Sequence, residues 1–364
     1  MSVRLTRSTI LAHLAAATTS ATGCAVEPGP APLDDVLAEA PMRWSVSYHT
    51  WPGDGARASS DLALIAELGA DVVRTDAWWY AIEPARGQID QAALDYYRWY
   101  VEEAGRHGLE VLVVLSNAPD WARQLYQSAD RGAFCAEFGE YAAAVGETVG
   151  DLVVDYQHWN EPNHIVDFPD GDADVCLFLE GRRGLDLGRQ RAGAGDAPLR
   201  TYINLLVDGH DAPLGPSWQT DIDFFMERGA GAAIDVIAID HYPGTWSVGD
   251  WGGNILDRLF ALGLRHGKEV AILETGFSTA GCILPQNTEA GQVAWIQSQL
   301  ARIRAKVSEP DTHRGVPFAL ANWFKLDDRP GTDCWDLEDN FGVVRQDRTR
   351  KPAFEALRAA ITGP

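Results

Sequence analysis

Two glutamates stand out for the residues around them. Glu161 sits in His158-Trp159-Asn160-Glu161-Pro162-Asn163, just past a β-rich run, and Glu274 sits in Ile272-Leu273-Glu274-Thr275-Gly276, just past another. Glycoside cleavage needs such a pair: one carboxyl protonates the departing oxygen while the other attacks or stabilises the sugar cation. At roughly 5–5.5 Å separation the second carboxylate reaches the anomeric carbon directly and configuration is retained. In that division of labour Glu161 is protonated at rest, its pKa raised by the charge on Glu274, while Glu274 stays ionised beside a cation such as Arg74. Once Glu274 is esterified its charge is gone. Glu161 then becomes more acidic and serves as base for the incoming water.

Two side chains 113 positions apart converge only if a rigid frame carries both. From residue 43 onward, short β-rich runs alternate with helical patterns. Strands are expected over 43–49, 71–75, 110–115, 152–158, 201–207, 235–240, 269–273 and 317–322. Near-continuous apolar runs such as Val111-Leu112-Val113-Val114-Leu115 suit parallel strands covered on both faces. Ser60 or Asp61 can cap a helix through Glu67, Asp90 a helix over 91–105, and helices follow over 288–307 and 352–361. Eight strands alternating with helices predict a single-domain (β/α)8 TIM barrel over 43–364. Residues 181–198, rich in Gly and Arg and poorly amphipathic, read as a long loop with a short helix.

In such a barrel, chemistry collects at the C-terminal ends of the strands. Strand 2 ends in Arg74-Thr75-Asp76 with Trp78-Trp79, strand 6 in His241-Tyr242 and strand 8 in Asn322-Trp323. Successive strand residues face opposite ways, so His241 and Tyr242 both reach the mouth only if the strand has ended. His49 after strand 1 and Asn117 after strand 3 could line a sugar pocket or play satisfied structural roles. Thirteen Trp residues favour stacking on sugar faces, against the alternative that they fill the shell between barrel and helices.

These motifs resemble the clan A glycoside hydrolases, the superfamily of β-xylosidases, cellulases and mannanases. Trp159-Asn160-Glu161-Pro162 is similar to its acid/base signature and Ile272-Leu273-Glu274-Thr275-Gly276 to its nucleophile segment. Val72-Val73-Arg74 with Trp78 and Ile82-Glu83-Pro84 is similar to its strand-2 region. The resemblance implies a retaining β-glycosidase acting on an oligo- or polysaccharide without a cofactor. Asn160 would then hydrogen-bond the sugar 2-hydroxyl, Trp323 would floor the subsite of the cleaved sugar, and Tyr242 would hydrogen-bond the nucleophile.

Composition bounds the alternatives. With 52 Asp+Glu against 30 Lys+Arg the net charge is −22, which disfavours nucleic acid and anionic lipid as partners. Residues 1–24 read as a targeting segment: Arg4 and Arg7, a modest apolar stretch over 10–17, then small residues leading into Cys24. That cysteine resembles a lipobox cysteine whose lipid would tether the chain to a membrane; an ordinary secretory signal is the alternative. Residues 25–42 look like a linker, and a monomer outside the cytoplasm or in the cell envelope is expected. Cys135, Cys176, Cys282 and Cys334 are compatible with two disulfides, and the barrel order pairs 135 with 176 and 282 with 334. No metal site is expected. Asp167, Asp170, Asp172 and Asp174 lack the spacing of a calcium loop. A non-catalytic sugar-binding barrel and a metal-dependent barrel hydrolase or isomerase are the competing readings.

Overall fold

The computed structural model describes residues 42–363, apart from 129, 164–174, 209–216, 248–249, 252–253, 283 and 330–333. The targeting segment, the linker and the Asp167–Asp174 cluster lie outside the described residues. Eight parallel strands close on themselves in sequence order: β1 Trp44–Ser47, β2 Val72–Trp78, β3 Glu110–Ser116, β4 Asp155–His158, β5 Arg200–Leu206, β6 Val236–Asp240, β7 Glu269–Thr275 and β8 Phe318–Trp323. The predicted (β/α)8 barrel is therefore the fold.

The strands are buried on both faces because helices cover the outside and side chains fill the bore. Val72, Leu112, Val114, Tyr202, Val236, Ala238, Ala271, Leu273, Ala319 and Leu320 form the inner plug. A larger apolar layer joins the outer strand faces to the helices. Asp90 caps the helix Gln91–Arg106 by accepting from the Ala92 and Ala93 amides, and Thr288 caps Glu289–Trp295 through the Gly291 amide. The first helix differs from expectation. It starts at Gly55, and Asp61 is a fully buried acid inside it, 3.5 Å from Arg57, rather than its cap.

The segment expected to be mostly loop forms a full helix, Val175–Arg191. It escapes an apolar-periodicity test because its packing face is built from glycine. Gly181, Gly184 and Gly188 lie against the helix Arg131–Val149, so close that a Cβ on Gly184 would stand 2.0 Å from the Gly139 carbonyl oxygen. Arg189, also buried, ties the far end by donating to the Val153, Ala197 and Pro198 carbonyls. Disulfides join Cys135 to Cys176 across this helix pair and Cys282 to Cys334 across the loops after β7 and β8, the pairing that barrel order predicts.

Candidate active site

Above the apolar plug the bore turns polar. Following the pleat upward from Val72, Tyr202 and Ala238 gives Arg74, Asn204 and Asp240, while β4 contributes Gln157 and β8 Asn322, all buried. Asn322 Nδ2 donates to Ser47 Oγ and to the Leu273 carbonyl, both at 2.8 Å. Arg74 Nε donates to Gln157 Oε1 at 2.8 Å and its Nη2 to Asn160 Oδ1 at 2.8 Å.

Glu274 reaches this layer through an irregularity in β7. Alternation would send Glu274 outward, since Ala271 and Leu273 are inner residues and Ile272 an outer one. The register with β6 slips instead, pairing Ile239 with Ile272 but Asp240 with Glu274. Leu273 is the extra residue of a bulge, and the bulge turns Glu274 into the bore. There Arg74 Nη1 meets Glu274 Oε1 at 2.8 Å, and the Tyr242 hydroxyl donates to Oε2. Burial would lower the Arg74 pKa, but Glu274, Asp240 and Asp76 outweigh it and hold the guanidinium charged. Burial and the charge of Glu274 raise the Tyr242 phenol well above its ordinary value, so it stays a donor.

Glu161 is held differently. β4 has ended at His158, and both Trp159 and Glu161 adopt left-handed backbone, φ 62° and 44°. The Trp159 ring turns outward onto Phe134 and Phe138, and His158 lies between Phe138 and Phe178. Asn204 Oδ1 accepts the Glu161 amide at 3.2 Å. No cation pairs with the Glu161 carboxyl among the described residues. Burial first, and next the charge of Glu274, push Glu161 up to about 8. Desolvation thus outranks the neighbouring charge that the sequence suggests as the cause.

One oxygen each of Glu161, Asp240 and Glu274 lie within 4.8 Å of one another. Sequence inspection of strand ends picks out His241 and Tyr242 and passes over Asp240, although its place two residues above Ala238 points it inward. Among the described residues these three acids are also the group close enough to share a cation.

The expected sugar-binding residues divide. His49 Nδ1 hydrogen-bonds Asp76 at 2.6 Å, and Asp76 also accepts from Ser116, whose oxygen in turn accepts from Asn117 Nδ2. His49 faces Trp78 and Phe324, with ring centroids 6.1 and 5.7 Å away. Asn160 Oδ1 is tied to Arg74, Gln157 and Asn204, which leaves Nδ2 as the donor available to a ligand. His241 pairs with Asp208 at 2.7 Å and packs on Trp251, and the same carboxylate accepts the Tyr242 amide, so Asp208 ties both residues down.

Trp79 and Trp323 do not line the mouth. Both are fully buried in the helical shell, Trp79 against Trp121 and Tyr141, Trp323 against Trp295. Asn322 faces inward, so alternation sends Trp323 out and brings Phe324 in. Phe324 packs with Tyr242 and Phe341 beside His49, in the inward position that Trp323 was expected to occupy. Glu338, on the loop after β8, is half-buried and raised by burial and by Glu274. No motif marks it.

Residues 47–173 match Glycosyl hydrolase family 1. Thermostable beta-glucosidase B of Thermobispora bispora is 33% identical over 190 residues, 49% of this chain. That stretch spans only 35% of the relative's own length. Among solved structures, the apo beta-glucosidase 1317 superposes with a TM-score of 0.62 at 21% identity, covering 85% of this chain and 88% of its own. A GH5_18 protein of Bifidobacterium longum subsp. infantis gives 0.65 at 16% identity, covering 88% and 78%. The chain has the fold of the clan A glycoside hydrolases. The family 1 match ends at 173, so it takes in Glu161 and stops about a hundred residues short of Glu274.

Proposed function

We propose that this chain is a retaining glycosidase that cleaves β-O-glycosidic bonds by double displacement, with Glu161 as acid/base and Glu274 as nucleophile. The observation that carries the proposal is the asymmetric pair. Two carboxyls share a site within 4.8 Å, and only one of them has a guanidinium and a phenol on its oxygens. The spacing belongs to the short class of roughly 5 Å, with no room for a water between carboxylate and sugar, unlike the 6.5–9.5 Å of inverting sites.

In the first step Glu274 attacks the anomeric carbon. The glycosidic C–O bond breaks, and the proton of Glu161 moves to the departing oxygen. Ester formation removes the charge of Glu274, the second of the influences that raise Glu161, so the Glu161 carboxylate now persists and takes a proton from water. The resulting hydroxide equivalent displaces Glu274 from the opposite face. Two inversions restore the β-anomer. In this reading Asn160 Nδ2, which donates to no other group among the described residues, would meet the sugar 2-hydroxyl, with Phe324 and Trp78 facing the ring.

The similarity to proteins named beta-glucosidases makes a β-glucoside the first substrate to test. The targeting segment extends the proposal to a monomeric enzyme acting outside the cytoplasm, soluble or tethered through Cys24; fractionation of cells carrying C24S decides between the two. Turnover of an aryl β-glucoside, abolished in E274A, supports the enzyme. Binding of sugar without turnover by any aryl β-glycoside would make the chain a sugar-binding barrel. Proton NMR of the first product tests the stereochemistry, and an initial α-anomer overturns Glu274 as nucleophile.

A further inference from the structure

Asp240 is the third acid of the cluster, and two-carboxyl chemistry does not use it. It is fully buried at the top of β6. Its Oδ2 accepts from Asn204 Nδ2, and its Oδ1 is buried with no hydrogen-bond partner. Buried polar atoms are rarely orphaned, so an orphan beside a reaction centre calls for a cause.

The bond to Asn204, on the other oxygen, shows what the acid holds. An amide side chain has one donating and one accepting end. With Nδ2 engaged by Asp240, Oδ1 must face the other way, where it accepts from Gln157 Nε2 at 2.7 Å and from the Glu161 amide at 3.2 Å. Flipped, Asn204 would set its NH2 against two donors. Asp240, with Asn160 Oδ1 as the second acceptor on the same Nδ2, therefore selects the amide orientation that fixes the main chain of Glu161 in its left-handed conformation, which costs a residue with a Cβ more than it costs glycine.

Charge settles which form of Asp240 does this. Asp240 faces Glu161, Glu274 and Arg74, and the one guanidinium among them is committed to Glu274. Three ionised carboxylates would leave two uncompensated buried charges. Burial, then Glu274 and Glu161, raise Asp240 well above the carboxylate range. A proton on Oδ1 leaves Oδ2 free to accept from Asn204, which matches the observed bond.

We infer that Asp240 is a positioning residue that works as a neutral carboxylic acid, holding Asn204 in the orientation that fixes Glu161 and leaving Glu274 the sole charge of the acid cluster. The inference rests on the glycosidase reading for its kinetic consequences, but the protonation of Asp240 does not.

Two measurements on the purified protein test it. Infrared spectroscopy at neutral pH should show a protonated-carboxyl band that disappears in D240N while a second, assigned by E161Q, remains. In kinetics on an aryl β-glycoside, D240A should lower kcat by about 10- to 100-fold with KM within about twofold, the signature of a displaced acid rather than lost binding. D240N, which keeps an acceptor for Asn204 and a neutral group on the other side, should recover most of that loss. N204A should cost as much as D240A, and the double variant no more than either, because both break one link. Where D240A does not fold, N204A and D240N carry the test. Absence of the infrared band, or an alkaline limit in D240N moved to lower pH by a unit or more, means that Asp240 is ionised and overturns the inference. Additive losses in the double variant overturn the positioning link. If wild type turns over no glycoside while the infrared band behaves as stated, the glycosidase proposal fails and the protonation of Asp240 stands.

Discussion

The ends of β4 and β7 each present a glutamate to the same space, yet they are built on opposite plans. At β7 the strand continues past the acid, a bulge aims it, and Arg74 and Tyr242 take both oxygens. At β4 the strand has stopped, the chain runs through left-handed backbone, and the acid meets burial and negative charge instead of a cation. The lesson is that one residue type meets two environments: Glu274 is paired with a guanidinium and a phenol, while Glu161 is desolvated and its carboxyl is raised.

The sharpest way to break the comparison is to remove the anion. E274Q keeps the shape and should lower kcat/KM by about 10⁴-fold or more on every substrate, because no other group can form the covalent bond. Removing its cation comes next. R74M should cost about 10²–10³-fold and R74K nearly as much, since Arg74 spreads its donors over Glu274, Asn160 and Gln157 and an ammonium cannot. Removing the acid should depend on the leaving group. E161Q should lose about 10²–10⁴-fold on an alkyl glycoside and much less on a dinitrophenyl glycoside, whose oxygen departs without a proton. Equal losses on both would mean that Glu161 is not the acid.

The smallest effect concerns pH. Glu161 must carry its proton to act, so kcat/KM should fall as pH rises through about 8, and E161Q should abolish that limb. Stability should follow the same sign. A carboxyl raised in the folded chain binds a proton that the unfolded chain has already released. Its contribution is therefore full below the ordinary carboxyl range and is lost as pH rises through about 8. Chemical denaturation between pH 5 and 9 should show a flatter profile for E161Q than for wild type.

The eight strands, their order and the glutamate at the end of β4 are legible because apolar runs and strand-end motifs are local patterns. Three things are not. The bulge at Leu273 comes from the register between β6 and β7, and strict counting from Ala271 would have aimed Glu274 at the helices. The helix Val175–Arg191 packs through glycines, which an apolar periodicity does not score. Asp240 and Phe324 were within reach of alternation, from Ala238 and Asn322 respectively, but neither stands in a motif. Trp323 shows the opposite failure. A tryptophan at a strand end suggested a sugar platform, while the pleat sends it into the shell against Trp295. The disulfides close stretches of 41 and 52 residues, and each is expected to contribute roughly 4 kcal/mol by chain-entropy reasoning, checked by unfolding with and without reductant.

The left-handed turn at Glu161 has a corollary for stability. With φ at 44°, the position would be occupied more comfortably by glycine, which adopts that conformation without a Cβ penalty. E161G should therefore melt above wild type while doing no chemistry. Stability and the proposed chemistry thus make opposite demands on this one position: the backbone favours glycine and the reaction requires a carboxyl.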